Sequence, residues 1–332
     1  ISVVGGRNIA DEYFELKTDS VFVDFDVIAL GPVVTEISMS FDDFWNHSRS
    51  IPIEQVATSE KKEDLETVRA NIREEFNGIY NTIYKQALES QLLQDLIAVR
   101  QPIFPAKARV MSDSPDKLIN EIDEKHMLLA NDLKEVLLSA EKEVIFISPY
   151  YVPGEGGVQL VRDLVDKGIR VIILTNSLAS NNHTAVHSGY ARYRKDVINA
   201  GAELYETRAN AARELQDSDK GPDTLTLHTK AFLIDGRYLF VGSLNLDPRS
   251  IAINAEMGLL IDSKAMIAFT TSGDTDDDLY NIAYRVLLNE KGELEWHGRI
   301  NGEEVIEKNE PLASSWLRFK AWILRLAPES QL

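Results

Sequence analysis

The sequence predicts an α/β protein, and two observations support that prediction. From Ala108 onward, short runs rich in Val and Ile alternate with longer amphipathic stretches, as in a chain of alternating strands and helices. The runs 144–148 and 169–175 are apolar almost throughout instead of alternating with polar residues. Strands of that kind are buried on both faces, so we expect helices on both sides of the sheet.

The elements follow in chain order. Strand 2–4 ends in a Gly-Gly-Arg-Asn turn, and Pro32 marks the first helix because proline fits a first helical turn. The charged, periodic stretch 60–100 predicts two helices, which end before Pro102. The remaining predicted strands are 26–30, 108–111, 144–148, 169–175, 203–205, 225–234, 238–242 and 257–261. The remaining predicted helices are 33–45, 125–140, 157–167, 185–200 and 312–326, with polar loops at 209–222 and 274–278 and hairpins near Gly292 and Gly302.

The composition limits what the protein can do. Its 332 residues allow about two domains. The formal net charge of −18 argues against nucleic acid as the main partner. The sequence contains no cysteine, which excludes disulfides, thiol nucleophiles and zinc–thiolate sites. No apolar run reaches the roughly 18 residues that a membrane-spanning helix needs.

Two segments repeat a strand–turn–strand pattern. Residues 4–9 (VGGRNI) align with residues 241–246 (VGSLNL), so both carry a Gly-x-x-Asn turn. Asp26 opens the next apolar strand after the first turn, and Glu256 does so after the second. The shared downstream acid indicates an internal repeat.

The sequence His-x-Lys-x4-Asp, formed by His228, Lys230 and Asp235, carries the most specific chemistry. Side chains at positions i and i+2 of a strand share one face, so we expect His228 and Lys230 to project together. An imidazole beside an ammonium fits an anionic tetrahedral group such as phosphate, and it requires no metal.

The turn after this motif adds donors for the same group. Ser243 offers a hydroxyl and Asn245 an amide that can hold phosphate oxygens. An oriented histidine also needs a partner for its second ring nitrogen, and Glu256 is the candidate.

Taken together, these residues resemble the phospholipase D superfamily, whose signature is His-x-Lys-x4-Asp. Residues 245–250 (NLDPRS) followed by 254–258 (NAEMG) resemble its cardiolipin synthase branch. Residues 5–14 (GGRNIADEYF) and 185–194 (AVHSGYARYR) resemble the bacterial C-type cardiolipin synthases. The resemblance extends over essentially the whole chain.

The resemblance implies a bilobal α/β fold in which helices flank two mixed β-sheets related by a pseudo-twofold axis. Residues 1–105 would be the remainder of the first half, 106–265 the second half, and 266–332 an extension. It also implies that one histidine attacks phosphorus to form a phosphohistidine while the other protonates the leaving alcohol. An acceptor alcohol or water then resolves the intermediate, without a cofactor.

The resemblance further assigns a role to each matching residue. His228 would be the general acid, oriented by Glu256, and Asp235 would be mainly structural. In the first repeat, Asp26 would orient the first-half histidine. The phosphate-binding residues would be Lys230, Ser243 and Asn245 together with Gly6 and Asn8, where Gly6 replaces the usual serine.

The spacing of the complete motif predicts where its first copy would lie. His228 and Asp235 stand fourteen and seven residues before Gly242. Applied to Gly5, these offsets place the first Asp about three and the first His about ten residues upstream of Ile1. We therefore expect a fragment of a longer enzyme that is nearly inactive alone. The alternative is a protein with a single motif that dimerises.

Two further features leave alternatives open. His187 and Arg194 share a helical face and could bind a lipid head group, although a satisfied surface histidine explains the spacing as well. The amphipathic segment 312–326 could pack against the protein or lie in a bilayer interface. The three cations Arg318, Lys320 and Arg325 favour the bilayer.

The resemblance thus predicts a phosphatidyltransferase of the cardiolipin synthase type, peripheral to a bacterial cell membrane. Its partners would be phosphatidylglycerol, phosphatidylethanolamine and the membrane surface, with no nucleic acid and with any accessory protein unidentified. The alternatives are a phospholipase D or phosphodiesterase that uses water, and a non-catalytic lipid-binding fragment. A nuclease is disfavoured by the net charge of −18.

Overall fold

The computed structural model describes residues 1–14, 20–56, 64–80, 94, 102–119, 128–211, 224–271 and 276–326. The chain divides into two compact units, Ile1–Asp43 with Ala106–Leu332 and Phe44–Pro105. In the second unit, helices α2 (Ile53–Val56) and α3 (Leu65–Tyr80) are described. Most of the second helix predicted within 60–100 lies outside the described residues. The domain boundaries near 105 and 265 remain a prediction.

The first unit is an α/β structure, as the sequence predicts. Its strands are β1 (Ser2–Gly5), β2 (Ser20–Val23), β3 (Asp26–Ala29), β4 (Lys107–Ser112), β5 (Glu143–Ile147), β6 (Arg170–Asn176), β7 (Glu203–Thr207), β8 (Thr224–Leu227), β9 (Ala231–Ile234), β10 (Tyr238–Gly242), β11 (Met257–Asp262), β12 (Ala283–Leu288), β13 (Leu294–Ile300) and β14 (Glu303–Glu307). Its helices are α1 (Val33–Trp45), which ends at the unit boundary, then α4 (Leu128–Leu138), α5 (Gly154–Asp166), α6 (Thr184–Asn199), α7 (Pro248–Ala252), α8 (Lys264–Thr270), α9 (Asp276–Ile282) and α10 (Ser315–Leu324).

A ten-stranded mixed sheet forms the centre, in the order β14-β13-β12-β7-β6-β5-β9-β10-β11-β4. Strands β5, β6 and β7 are parallel, and helices α5 and α6 make the crossovers between them. Six of the seven residues of β6 are buried. The expectation of a sheet covered on both faces, with flanking helices, is therefore confirmed.

The first repeat forms a small sheet that packs on the large one. Strands β1 and β3 pair antiparallel, and β2 pairs with β8 in a second two-stranded sheet. Val4 and Val27 share a buried cluster with Ala231, Val241 and Leu259 of the large sheet. The described part of the first repeat thus supplies two strands of a small sheet instead of a second large one.

The structure differs from the sequence-based prediction in three segments. The predicted strand 225–234 is interrupted at 228–230, so it becomes β8 and β9 in different sheets. Within the predicted loop 274–278, helix α9 begins at Asp276, and residues 274 and 275 lie outside the described residues. The predicted surface loop 209–222 starts with Ala209 and Ala211 buried, and most of it lies outside the described residues.

Hairpins join β12 to β13 and β13 to β14, as the glycines near 292 and 302 predict. Among the described residues, none of the helices has the length and apolar character required to cross a bilayer.

Candidate active site

The break between β8 and β9 places the histidine of the motif beside the first repeat. The backbone N–H groups of His228 and Thr229 both donate to the carbonyl of Val23, at 2.7 and 3.1 Å. This continues the β2–β8 pairing by one step beyond the strands. Asp24, the next residue after β2, is therefore held against the His228 ring.

His228 is buried, and both of its ring nitrogens have partners. Nδ1 lies 2.7 Å from Oδ2 of Asp24, so it carries a proton and donates to that carboxylate. Nε2 then accepts from the hydroxyl of Tyr13 at 3.0 Å. The side chain of Asn8 donates to the same hydroxyl at 3.0 Å. Phe22 stacks on the imidazole with ring centroids 5.7 Å apart. These contacts fix both the tautomer and the orientation of the ring.

Burial lowers the pKa of His228 below its ordinary value. The hydrogen bond to Asp24 opposes that shift, and the positive charge of Lys230 reinforces it. The Nε2 atom of His228 faces the Tyr13 hydroxyl, and the lowered pKa makes the imidazolium of His228 a stronger acid than an ordinary one.

Lys230 lies in the same buried pocket. Its Nζ is 2.9 Å from Nδ1 and 3.0 Å from Nε2 of His228, and it donates to the His228 carbonyl at 2.6 Å. Burial lowers the pKa of Lys230 to about 8, against the attraction of Asp24, Glu256 and other carboxylates. A lysine whose ammonium is partly desolvated attracts an anion more strongly than a surface lysine does.

The turn after β10 forms another side of the pocket. Ser243 donates to the carboxylate of Glu256 at 2.5 Å, and its Oγ accepts from the backbone N–H of Met257. Burial raises the pKa of Glu256, although hydrogen bonds from Ser243 and Asn254 oppose the shift. The buried Oδ1 of Asn245 has no hydrogen-bond partner within the described segments. A buried amide in that condition is a group that a ligand can satisfy.

The turn after β1 reaches the same pocket. A Cβ placed on Gly6 would lie 3.0 Å from both Asp24 Oδ1 and Lys230 Cδ, so this glycine permits the close approach. Asp26 forms an ion pair with Arg7 at 2.7 Å. Residues from both repeats, which stand more than 200 positions apart in sequence, therefore meet at His228.

The acid that contacts His228 differs from the one the sequence suggests. Asp24 occupies the position expected for Glu256, and the carboxylate of Glu256 bonds Ser243 and Asn254 instead. Strand register explains the difference. Gly5 pairs with Asp26 in the first repeat and Gly242 pairs with Gly258 in the second, so the counterpart of Glu256 is Asp24, two residues before Asp26.

Asp235 lies at the far end of β9 from His228. It adopts a positive φ of 55° in the turn to β10, and its carboxylate accepts N–H groups from residues 141, 142 and 143. Burial would raise the pKa of Asp235, but these hydrogen bonds outweigh it and lower the pKa. Asp235 fastens the β9–β10 turn to the start of β5 and contacts none of the other motif residues.

The structure gives no support to head-group binding by His187 and Arg194. Each is only 1% exposed. Arg194 lies 2.7 Å from Glu206 and donates to Glu310 at 3.0 Å, and its guanidinium is 2.9 Å from His187 Nε2. Because two carboxylates neutralise the buried guanidinium, this group joins α6 to β7 and to the segment before α10 instead of facing a ligand. The nearby groove of about 790 Å³ is lined by both cations and glutamates, and none of the motif residues lines it.

Sequence reasoning missed Asp24 and Tyr13. A signal for Asp24 was present, because Asp24 and Asp26 both precede the apolar strand and share one face. Nothing in the spacing singled out Tyr13. The loop after β5 also contacts the second turn, since Val152 N–H donates to the carbonyl of Leu246 at 2.7 Å. In that loop Tyr150 packs against His183.

The chain is similar in sequence to known proteins. A family model described as a cardiolipin synthase, phospholipase D-like domain, matches residues 133–272. Cardiolipin synthase C of Escherichia coli is 33% identical over 99% of this chain and 70% of its own length. An uncharacterized protein of Helicobacter pylori is 28% identical over 99% of this chain and 64% of its own. The chain thus spans about two thirds of the length of these relatives.

The crystal structure of phosphatidylserine synthase from Haemophilus influenzae has a TM-score of 0.50 at 15% identity, covering 85% of this chain and 59% of that one. The fold and the His-x-Lys-x4-Asp sequence together define a protein of the phospholipase D-like class. Within it, the chain belongs to the cardiolipin synthase family.

Proposed function

We propose that this chain carries one half-site of a phosphatidyltransferase of the cardiolipin synthase type. It would move a phosphatidyl group from phosphatidylglycerol or phosphatidylethanolamine to the alcohol of a second phospholipid, at the surface of a bacterial membrane. The observation that carries this proposal is the meeting of both repeats at His228, where Asp24, Tyr13 and Lys230 surround one imidazole.

In the proposed mechanism, His228 moves a proton at Nε2. The Asp24 carboxylate holds Nδ1–H, so Nε2 is the nitrogen that faces the reacting oxygen. The hydroxyl of Tyr13, 3.0 Å from Nε2, supports this assignment, because it occupies the position where the reacting oxygen would lie. Lys230 and the amides of Asn8 and Asn245 would hold the nonbridging phosphate oxygens.

The nucleophile in this mechanism is a second histidine, from another copy of the motif. Its nitrogen attacks phosphorus while the bond to the leaving alcohol breaks, and His228, which enters this step as an imidazolium, transfers its Nε2 proton to that alcohol. The acceptor hydroxyl then gives its proton to His228 and displaces the histidine from phosphorus. Glu256, as the counterpart of Asp24, would orient that second histidine.

Product analysis tests the reaction class. A polypeptide carrying both motifs is incubated with labelled phosphatidylglycerol, with and without an added primary alcohol. A transferase yields cardiolipin, and the added alcohol diverts part of the label into a phosphatidyl alcohol. Release of phosphatidic acid alone would instead identify a hydrolase, because only water would then resolve the phosphohistidine.

Two substitutions make this assay specific. His228→Ala removes the proposed general acid, a group that contributes about 10²–10⁴-fold to rate. His297→Ala is the matched control, because His297 lies in β13 and pairs with Glu295 instead of with the site. Equal rates for the two variants would remove His228 from the mechanism.

A further inference from the structure

Helix α10 turns its apolar face away from the protein. Trp316, Trp322 and Leu326 are 71%, 62% and 85% exposed, whereas Ala321 is 6% exposed. The helix packs on α6 through that narrow stripe, and Arg192 of α6 donates to the carbonyl of Arg325 at the end of α10. Packing on α6 therefore explains only part of the apolar pattern, because the large side chains on the outer face of α10 remain exposed.

The exposed side chains form one continuous face. At about 100° per residue, Trp316, Phe319, Trp322 and Ile323 fall within an arc of about 120°, and Leu326 follows in the turn after the helix. The aromatic rings of Trp316, Phe319 and Trp322 lie in sequence along it, with centroids 5.8 and 6.2 Å apart. We refer to these five residues as the aromatic face.

Cations flank the aromatic face on both sides. By the same helical spacing, Arg318 lies about 40° beyond one margin and Lys320 about 40° beyond the other. Residues 311–326 contain no Asp or Glu, in a chain with 53 of them and a net charge of −18. Such a chain is repelled by an anionic surface unless it presents a segment of this composition.

The groove beside α10 adds positively charged side chains near the aromatic face. Arg318 and Arg325 border it, together with Lys195, Lys291 and Lys308. Glutamates also line it, and one of them, Glu310, is neutralised by Arg194. The basic side of the aromatic face therefore extends beyond the helix itself.

We propose that the aromatic face of α10 docks this protein on an anionic phospholipid bilayer, lying in the plane of the interface. Trp and Phe rings favour the head-group level of a bilayer, and flanking Arg and Lys side chains reach its phosphates. This inference rests on the proposed function only in that a phospholipid substrate places the enzyme at a bilayer. The surface itself is argued from exposure and charge.

Vesicle binding by the full chain tests the proposal without turnover, so it can fail independently of the proposed function. The vesicles contain equal parts of phosphatidylglycerol and phosphatidylcholine, and binding is followed by cosedimentation. Replacing Trp316, Phe319 and Trp322 together by Ala should weaken binding at least about tenfold. The matched control replaces Met39, Phe41 and Trp45 of α1, which are 61%, 60% and 70% exposed, and should leave binding unchanged.

Two charge-reversal variants complete the experiment. Lys320→Glu should weaken binding to the anionic vesicles by several-fold, with a smaller effect at high salt, whereas Lys264→Glu on the exposed surface of α8 should not. Undiminished binding by the α10 triple variant would overturn the proposal. A second result would also overturn it: the wild-type protein does not bind the vesicles and is a dimer, whereas the triple variant is a monomer. The aromatic face would then bind a second copy of the chain.

Discussion

At the scale of single residues, the tautomer of His228 depends on one carboxylate. Asp24 accepts from Nδ1 and leaves Nε2 to face Tyr13. Asp24→Asn removes the negative charge that opposes the lowering of the His228 pKa. We expect that pKa to fall further, in a histidine NMR titration of this chain, and the rate of the two-motif enzyme to fall about 10²-fold.

Asp26→Asn is the matched control for this prediction. It makes the same change two residues away, where the carboxylate pairs with Arg7 and not with the imidazole. A larger effect at Asp26 than at Asp24, in either the titration or the rate, would contradict the assigned partner of His228.

Lys230 should set the alkaline limit of phosphate binding. Its pKa is lowered to about 8 by burial, so the ammonium is present below that pH and lost as the pH rises through it. We expect KM for the phospholipid to rise above about pH 8, because a neutral amine no longer attracts the phosphate.

Lys230→Arg keeps the charge at every accessible pH. Its overall activity should fall because the pocket is built around an ammonium, but the rise in KM near pH 8 should disappear. If KM still rises near pH 8 in this variant, a group other than Lys230 causes that rise.

At the scale of elements, the two ends of the His-x-Lys-x4-Asp motif differ in role. His228 and Lys230 lie in the candidate site, whereas Asp235 stabilises the β9–β10 turn. Asp235 binds three backbone N–H groups of the β5 start and holds a positive φ of 55°. Asp235→Ala should lower the free energy of unfolding by about 1–2 kcal/mol. Asp235→Asn, which retains an acceptor and tolerates that backbone, should lower it less. Chemical denaturation measures both, and an undiminished stability in Asp235→Ala would contradict the structural role.

The group around Arg194 also belongs to this scale. Glu310→Gln leaves a buried guanidinium only partly neutralised, which costs about 3 kcal/mol of unfolding free energy. The KM for the phospholipid should not change in the folded variant, because the guanidinium is buried in α6 and does not reach the site. A raised KM with normal stability would restore the head-group interpretation.

The fold was predictable from the sequence where periodicity is local, and less so where distant strands pair. Strand β10 (Tyr238–Gly242) and helix α1 (Val33–Trp45) have the bounds that the pattern predicts. The division of 225–234 into two strands was not predictable, because it depends on pairing of β8 with β2, about 200 residues earlier. The assignment of Asp24 failed for the same reason, since strand register decides between two acids on one face.

At the scale of the whole molecule, the two repeats form one composite pocket. Lys230 and His228 come from the second repeat, and Asp24, Tyr13 and Asn8 come from the first. In the proposed enzyme, Glu256 would orient the histidine of a second motif, as the counterpart of Asp24. The proposed enzyme therefore needs both motifs for turnover.

The most direct test is cardiolipin formation from labelled phosphatidylglycerol, measured in parallel for this 332-residue chain and for a polypeptide that carries both motifs. We expect cardiolipin only from the two-motif protein, and a loss of about 10²–10⁴-fold on His228→Ala. Rapid cardiolipin synthesis by a two-motif protein that lacks His228 would contradict the account.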